Sequence, residues 1–204
     1  PAYFGMNVAM NKKGIESFDT VFNNGMKAIK PSDFEVIVEE TGALVLDTRD
    51  NGVFAQGFIP QSINIGITGD FAPWVGALIA NVNQPIVLVT EVGMEEETVT
   101  RLSRVGFDNL IGHLEGGFQS WKNAGFEVDK VNRITADQFA NEVKVGESKV
   151  VDVRRESEYE AEHVDEAYSK PLAYINEWVK DINPEEHFYM HCAGGYRSMM
   201  AASI

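Results

Sequence analysis

The sequence predicts an α/β fold in two consecutive domains, each a mostly parallel central sheet flanked by helices. Two observations carry this. Short apolar strands alternate with helix-length segments along the chain. One strand pattern, ending in Asp-x-Arg, occurs twice, and each copy follows a helix start and leads through a helical stretch to a second apolar strand. Parallel strands need crossover segments of this length, and their ligands collect beyond the carboxyl ends of the strands.

The first copy opens on a helix start, Lys30-Pro31-Ser32-Asp33-Phe34, with Ser32 as the expected N-cap. Its strand is Ala43-Leu44-Val45-Leu46, closing on Asp47-Thr48-Arg49. A second strand, Pro85 to Thr90, enters the loop Thr90-Glu91-Val92-Gly93-Met94-Glu95. A helix from Met94 to about Val105 follows, then an apolar pair, Leu110-Ile111, then a Gly116-Gly117 turn into another helix. Phe118 and Trp121 on that helix are read as core anchors. Gly125 to Asn132 reads as a linker. In the second copy Thr135 and Gln138 have capping-box spacing. Its strand, Lys149-Val150-Val151-Asp152, leads to Arg154, and Asp152 lies 105 positions after Asp47. Its second strand runs from His187 to Cys192, and a short helix is expected from Ser198 to about Ser203. Counterparts of Leu110-Ile111 and of the glycine turn are absent before Ile204, so the second domain is expected to be truncated at its C-terminal end. The expected boundaries are 1–27 for an N-terminal segment, 28–128 for the first domain and 129–204 for the second.

Composition narrows the function. Hydrophobic residues make up 44% of the chain and charged residues 24%, as in ordinary globular proteins. A formal net charge of -14 disfavours nucleic acid and anionic membranes as partners. No apolar run reaches membrane-spanning length. The single cysteine excludes an internal disulfide framework and fits a reducing compartment, with the cytoplasm as the expected location. Glu95-Glu96-Glu97 and the acidic stretch from Glu156 to Glu166 read as solvated helix faces. His113, His163, His187 and His191 show no zinc-site spacing, so neither a metal nor a cofactor is expected.

Cys192 begins the loop Cys192-Ala193-Gly194-Gly195-Tyr196-Arg197, between a strand and a helix. That order aims backbone N–H groups and a helix N-terminus at one sulfur, which favours a reactive thiolate. A buried core cysteine is the competing reading. Arg197 either supplies charge to the loop or forms a salt bridge with a nearby carboxylate. Arg154, at a strand end, either faces the same pocket or pairs with Asp152 or Glu158. Strand alternation turns His191 away from Cys192. Gly194 and Gly195 are both read as permitting backbone angles that other residues resist.

Asp152-Val153-Arg154, Glu158-Tyr159, His163-Val164 and Cys192-x-x-Gly195-x-Arg197-Ser198, taken together, resemble the rhodanese family of sulfurtransferase-like α/β domains. The resemblance covers about residues 28 to 204 as a tandem pair. It implies two rhodanese-like domains, with Cys192, Arg197 and Arg154 as catalytic residues. Ala193, Gly194, Gly195, Tyr196 and Ser198 would line the substrate site, with Tyr196 shaping donor access and Ser198 capping the helix. The implied partners are a small sulfur donor and a thiol acceptor, and the implied activity is transfer of sulfane sulfur through a Cys192 persulfide. The first domain, with Glu91 expected about where Cys192 would fall, reads as an inactive structural copy. The sequence departs from the family at two positions, where Glu162 and Glu166 replace glycines of its Gly-His-Ile-x-Gly-Ala segment. Residues Pro1-Ala2-Tyr3-Phe4 through Asn11-Lys12-Lys13-Gly14 also resemble the end of a metallo-β-lactamase-fold domain fused to a rhodanese domain. That implies an upstream domain of this kind as a further partner. Two other functions stay open. One is a non-catalytic binding or sulfur-carrier module of a larger protein. The other is phosphatase or arsenate-reductase chemistry, which the four-residue spacing between Cys192 and Arg197 disfavours, since the phosphatase loop has five.

Overall fold

A run of four apolar or mixed residues ending in aspartate forms an interior strand of each sheet. The structure, a computed structural model, describes residues 17–142, 149–183 and 185–204. The resemblance of Pro1 to Gly14 lies outside the described residues. The chain forms two compact units, one through Lys130 and one from Val131 to Ile204.

The first unit runs α1 Phe18–Gly25, β1 Ala28–Ile29, α2 Pro31–Thr41, β2 Leu44–Asp47, α3 Asn51–Gln56, β3 Ile63–Asn64, α4 Phe71–Leu78, β4 Ile86–Val89, α5 Glu95–Arg104, β5 Leu110–Leu114 and α6 Gly117–Asn123. Its five strands lie in the order β1-β5-β4-β2-β3, with every pair parallel. All four residues of β4 are buried, as a strand with covered faces requires. Phe34, Val45, Val87, Val89, Leu114 and Trp121 pack into one core cluster. Trp121 anchors the segment beyond α6 as well, donating its indole N–H to the Glu127 carbonyl at 2.7 Å. α1 packs on α5 and β5, so the residues just upstream of 28 are part of this unit. Asp129 pairs with Phe58, which ties the start of the expected linker to the same unit.

One cap differs from expectation. Lys30, not Ser32, occupies the N-cap of α2, with Pro31 opening the helix. Proline is pre-set for that first position and has no N–H to lose there. The Ser32 hydroxyl donates instead to the Asp33 carboxylate at 3.2 Å.

The second unit runs α7 Ala136–Glu142, β6 Lys149–Asp152, α8 Glu156–Ala161, β7 Tyr168–Ser169, a 3-10 turn Leu172–Tyr174, α9 Ile175–Trp178, a second 3-10 turn Val179–Asp181, β8 Phe188–His191 and α10 Tyr196–Ala202. The Thr135–Gln138 capping box is present in both directions, at 2.8 and 3.2 Å. The parallel sheet β7-β6-β8 repeats the β3-β2-β4 part of the first. Asp152 pairs with His191 as Asp47 pairs with Val89, and with Ser169 as Asp47 pairs with Asn64. Val150, Val151, Leu172, Ile175, Met199 and Met200 are buried in this unit. α10 begins at Tyr196 rather than at Ser198, because Gly195 takes a left-handed conformation (φ 85°) at its N-cap. No helix among the described residues is long and apolar enough to cross a membrane.

Each Asp-x-Arg forms the same closed set of hydrogen bonds. The Arg49 backbone N–H and Nε donate to the Asp47 carboxylate at 3.0 and 2.9 Å, and a terminal guanidinium nitrogen donates to the Gly57 carbonyl at 3.0 Å. Arg154 repeats this with Asp152 at 2.9 and 3.0 Å, and with the Glu162 carbonyl at 2.7 Å. Glu162, the C-cap of α8, is extended (φ -166°), as is Gly57 (φ 169°), so the side chain there causes no backbone strain. Glu166 and Gln61 differ, with left-handed φ values of 62° and 63°. That conformation costs a residue with a β-carbon about 1 kcal/mol, partly offset by the chain entropy that glycine loses on folding. Glu166→Gly and Gln61→Gly should therefore each raise stability, by up to about 1 kcal/mol. Glu162→Gly should not. Urea unfolding of the three variants beside the native chain checks this, and equal or lower stability at residues 61 and 166 would contradict it.

Candidate active site

Cys192 follows the last residue of β8 and is partly buried, at the carboxyl end of the sheet. The left-handed turn at Gly195 brings the chain back over the sulfur. The Gly195 N–H donates to Sγ at 3.2 Å and the Ser198 N–H at 3.4 Å. The Ser198 hydroxyl lies 3.6 Å from Sγ and donates to the Gly195 carbonyl at 3.3 Å. Burial pushes the thiol pKa up. The Ser198 hydroxyl and the N–H groups of Ser198, Gly194 and Gly195 outweigh burial and hold it below the ordinary cysteine value. Ser198, expected as a helix cap, thus also touches the sulfur directly. Gly195 alone uses glycine's conformational freedom. Gly194 is absent from the left-handed positions, is exposed, and a β-carbon there would meet nothing within 4 Å. Ala193 is exposed beside it, and Tyr196 is partly buried in the first turn of α10.

Arg197 forms the expected salt bridge with a nearby carboxylate. Its guanidinium binds the Glu158 carboxylate through two hydrogen bonds, at 2.7 and 2.9 Å. Glu158 keeps Arg197 firmly charged, and the neighbouring Cys192 sulfur adds to the effect. In return Arg197, and then the Arg155 N–H, hold the Glu158 carboxyl down to about 2. Arg154 takes the other of its expected roles. Its hydrogen bonds go to Asp152 and the Glu162 carbonyl, so it braces the end of α8. Burial raises the Asp152 carboxyl, but the hydrogen bonds from Arg154 more than reverse this. His191 lies along the sheet from Asp152, its Nε2 3.5 Å from a carboxylate oxygen and without a hydrogen-bond partner. Burial lowers its pKa, which keeps the imidazole neutral at pH 7.

The first unit shows what the same loop becomes without a cysteine. The strand register places Thr90, not Glu91, at the position of Cys192, because Val89 is the residue paired with Asp47. Gly93 (φ 93°) repeats the turn of Gly195 (φ 85°). Its N–H donates to the Glu95 carboxylate at 2.8 Å, where Gly195 serves the sulfur. Glu95 and Val53 stand at the positions of Arg197 and Glu158, so this loop holds no cation from either place. The Thr90 hydroxyl is buried without a hydrogen-bond partner. Among the described residues no group of three or more His, Cys, Asp or Glu side chains is placed to hold a metal ion. Sequence reasoning missed Thr90 because it aligned the loops rather than the strands. It named Glu158 as a possible partner of Arg154, not of Arg197. The available signal was the register of the strands behind the two loops.

Two outcomes follow. Ser198→Ala removes the hydroxyl that lowers the Cys192 pKa, so the pKa should rise. Iodoacetamide should then alkylate Cys192 several-fold more slowly at neutral pH, while rates above the ordinary thiol pKa stay close to native; a pH–rate profile checks both. Thr90→Cys in a Cys192→Ser background should create a buried thiol that alkylates far more slowly than Cys192, measured by intact mass against time.

The sequence pattern of the rhodanese-like domain family matches residues 30–124 and 135–204. The chain is 32% identical over 89 residues to "Putative sulfur carrier protein YrkF" of Bacillus subtilis (strain 168), a match covering 43% of this chain and 46% of that relative. The chain therefore spans under half the length of this curated relative. The rhodanese-like domain of the Alr3790 protein from Anabaena sp. is 20% identical, with a TM-score of 0.46, over 53% of this chain and 84% of that one. Thiosulfate sulfurtransferase from Pseudomonas aeruginosa is 16% identical, with a TM-score of 0.42, over 87% of this chain and 40% of that one. With its Asp-x-Arg strands and its cysteine loop in place, and with the family pattern matched in both units, the chain belongs to the rhodanese-like domain family.

Proposed function

We propose that the second unit moves sulfane sulfur from thiosulfate or a persulfide to a thiol acceptor through a persulfide on Cys192. The observation that carries this is the convergence of the Gly195 and Ser198 N–H groups on Sγ, at 3.2 and 3.4 Å. The family and the sulfur-carrier name of the Bacillus relative support it.

In the first step the Cys192 thiolate attacks the outer sulfur of the donor. A Cys192 S–S bond forms, the donor S–S bond breaks, and its electron pair leaves with sulfite or a thiolate. In the second step an acceptor thiolate attacks the outer sulfur of the Cys192 persulfide and takes it, and Cys192 returns as thiolate. No external oxidant or reductant is needed, and the scheme is ping-pong nucleophilic catalysis. The N–H groups of Gly194, Gly195 and Ser198 stabilise negative charge on either sulfur, and such donors contribute about 3 kcal/mol each in enzymes generally. Arg197, already paired with Glu158, stands beside the sulfur as a donor of hydrogen bonds rather than as a free charge, Ala193 and Tyr196 line the approach, and Arg154 positions α8. Occupation of Arg197 by Glu158 argues against phosphoryl or arsenate chemistry, which needs that guanidinium for a tetrahedral anion. A reducing cytoplasm suits a working thiolate.

A second reading is favoured by the name of the Bacillus relative. Here Cys192 carries sulfur for another domain without independent turnover, and the domain implied by the resemblance of residues 1 to 14 is a metallo-β-lactamase-fold partner.

Intact-mass analysis after exposure to thiosulfate, and separately to a low-molecular-weight persulfide, tests the first reading. A reducible gain of one sulfur that is absent in Cys192→Ser is expected, together with its loss on adding an acceptor thiol. Loading without multiple turnovers would establish the carrier. No gain with either donor in a folded sample would leave a binding or structural role.

A further inference from the structure

The sulfur-transfer reading leaves open which donors the site accepts, and Glu158 bears on that choice. Arg154 and Arg197 are already paired with carboxylates, Arg154 with Asp152 and Arg197 with Glu158, while Arg155 is exposed at the N-cap of α8. Neither pair presents a net positive charge to an incoming anion. Glu158 is held at both ends of its reach. One carboxylate oxygen accepts from Arg197 at 2.7 Å and also from the Arg155 N–H at 3.1 Å, and the other accepts from Arg197 at 2.9 Å. α8 carries the further acidic side chains Glu156 and Glu160, both exposed.

We propose that Glu158 makes the Cys192 site select against multiply charged anionic donors such as thiosulfate, and in favour of persulfides whose carrier bears no negative charge. The proposal rests on the sulfur-transfer reading for its biological meaning, but not for its test. A dianion at the loop must either displace a carboxylate from Arg197 or sit beside one uncompensated, and each costs free energy that a neutral carrier avoids. Negative charge already in place acts as an element of specificity against the wrong substrate. Glu158 is a positioning residue here, acting through Arg197 rather than on the reacting sulfur.

Glu158→Gln removes the charge and keeps an acceptor for the Arg155 N–H, since glutamine serves a capping box as glutamate does. Cys192 is alkylated with neutral iodoacetamide and with anionic iodoacetate, above pH 9.0, the ordinary cysteine value, where differences in thiol ionisation fade. The iodoacetate-to-iodoacetamide rate ratio should rise roughly tenfold in Glu158→Gln, as expected when one charge-assisted interaction is released to the anion. Loading by thiosulfate, relative to a persulfide of a neutral alkyl thiol, should rise in parallel. In the native chain the same ratios should climb with ionic strength, because screening weakens the repulsion; this arm needs no variant to fold. Ratios unchanged by both the substitution and salt would overturn the proposal, and uniform slowing with all probes would show that Glu158 only holds the loop together. If the alkylation ratio shifts while neither donor loads sulfur, the charge selection stands and the sulfur-transfer reading falls. If both donors load and their ratio is fixed, the reverse holds.

Discussion

A strand-terminal aspartate that grips the arginine two residues later is the interaction on which the rest of each unit depends. In the first unit Asp47 is fully buried and Arg49 nearly so, and the pair is completed by the Gly57 carbonyl. A buried carboxylate without its cation is strongly unfavourable, and removing one partner of such a pair costs about 3–5 kcal/mol. The geometry is therefore rigid: strand end, loop and helix end are fastened to one guanidinium. In the second unit the same arrangement leads on to the cysteine loop. Arg154 holds the Glu162 carbonyl at the end of α8, α8 carries Glu158, Glu158 holds Arg197, and Arg197 stands in the first turn of α10 beside the cysteine loop. The order of those contacts explains why an arginine so near the site works through the scaffold.

Comparison of the two units separates what the fold needs from what the sulfur needs. Both keep the Asp-x-Arg pair, the parallel three-strand register and the left-handed glycine before the helix. Only the second keeps a thiol and a cation over that glycine. In the first, Glu95 places its own carboxylate on the Gly93 N–H, so the anion-seeking backbone is satisfied from within the chain. The fold thus forms with or without the thiol at that position. The balance at Cys192 is equally local. Burial alone favours the neutral thiol, and the peptide N–H groups with one hydroxyl reverse that preference.

Much of this was legible in the residues. The repeated Asp-x-Arg strands, the alternation with helices, the capping box at Thr135 and the position of Cys192 after an apolar strand are local patterns, and each appears as expected. Ser32 failed as a cap because proline beside it took the helix start. Glu91 failed as the counterpart of Cys192 because loop residues align by the register of the strands behind them, and register is a pairing between segments far apart in sequence.

The sequence by itself determined the α/β class, the tandem repeat and the place of Cys192 after an apolar strand, since these rest on periodicity and on residue types with a narrow conformational range. Tertiary structure alone decided the distant partners: Arg197 with Glu158, Arg154 with the Glu162 carbonyl, Thr90 at the position of Cys192. A charged side chain is long and has several carboxylates within reach along any acidic chain. Which one it meets depends on how helices and strands distant in sequence are brought together, and no local pattern carries that information.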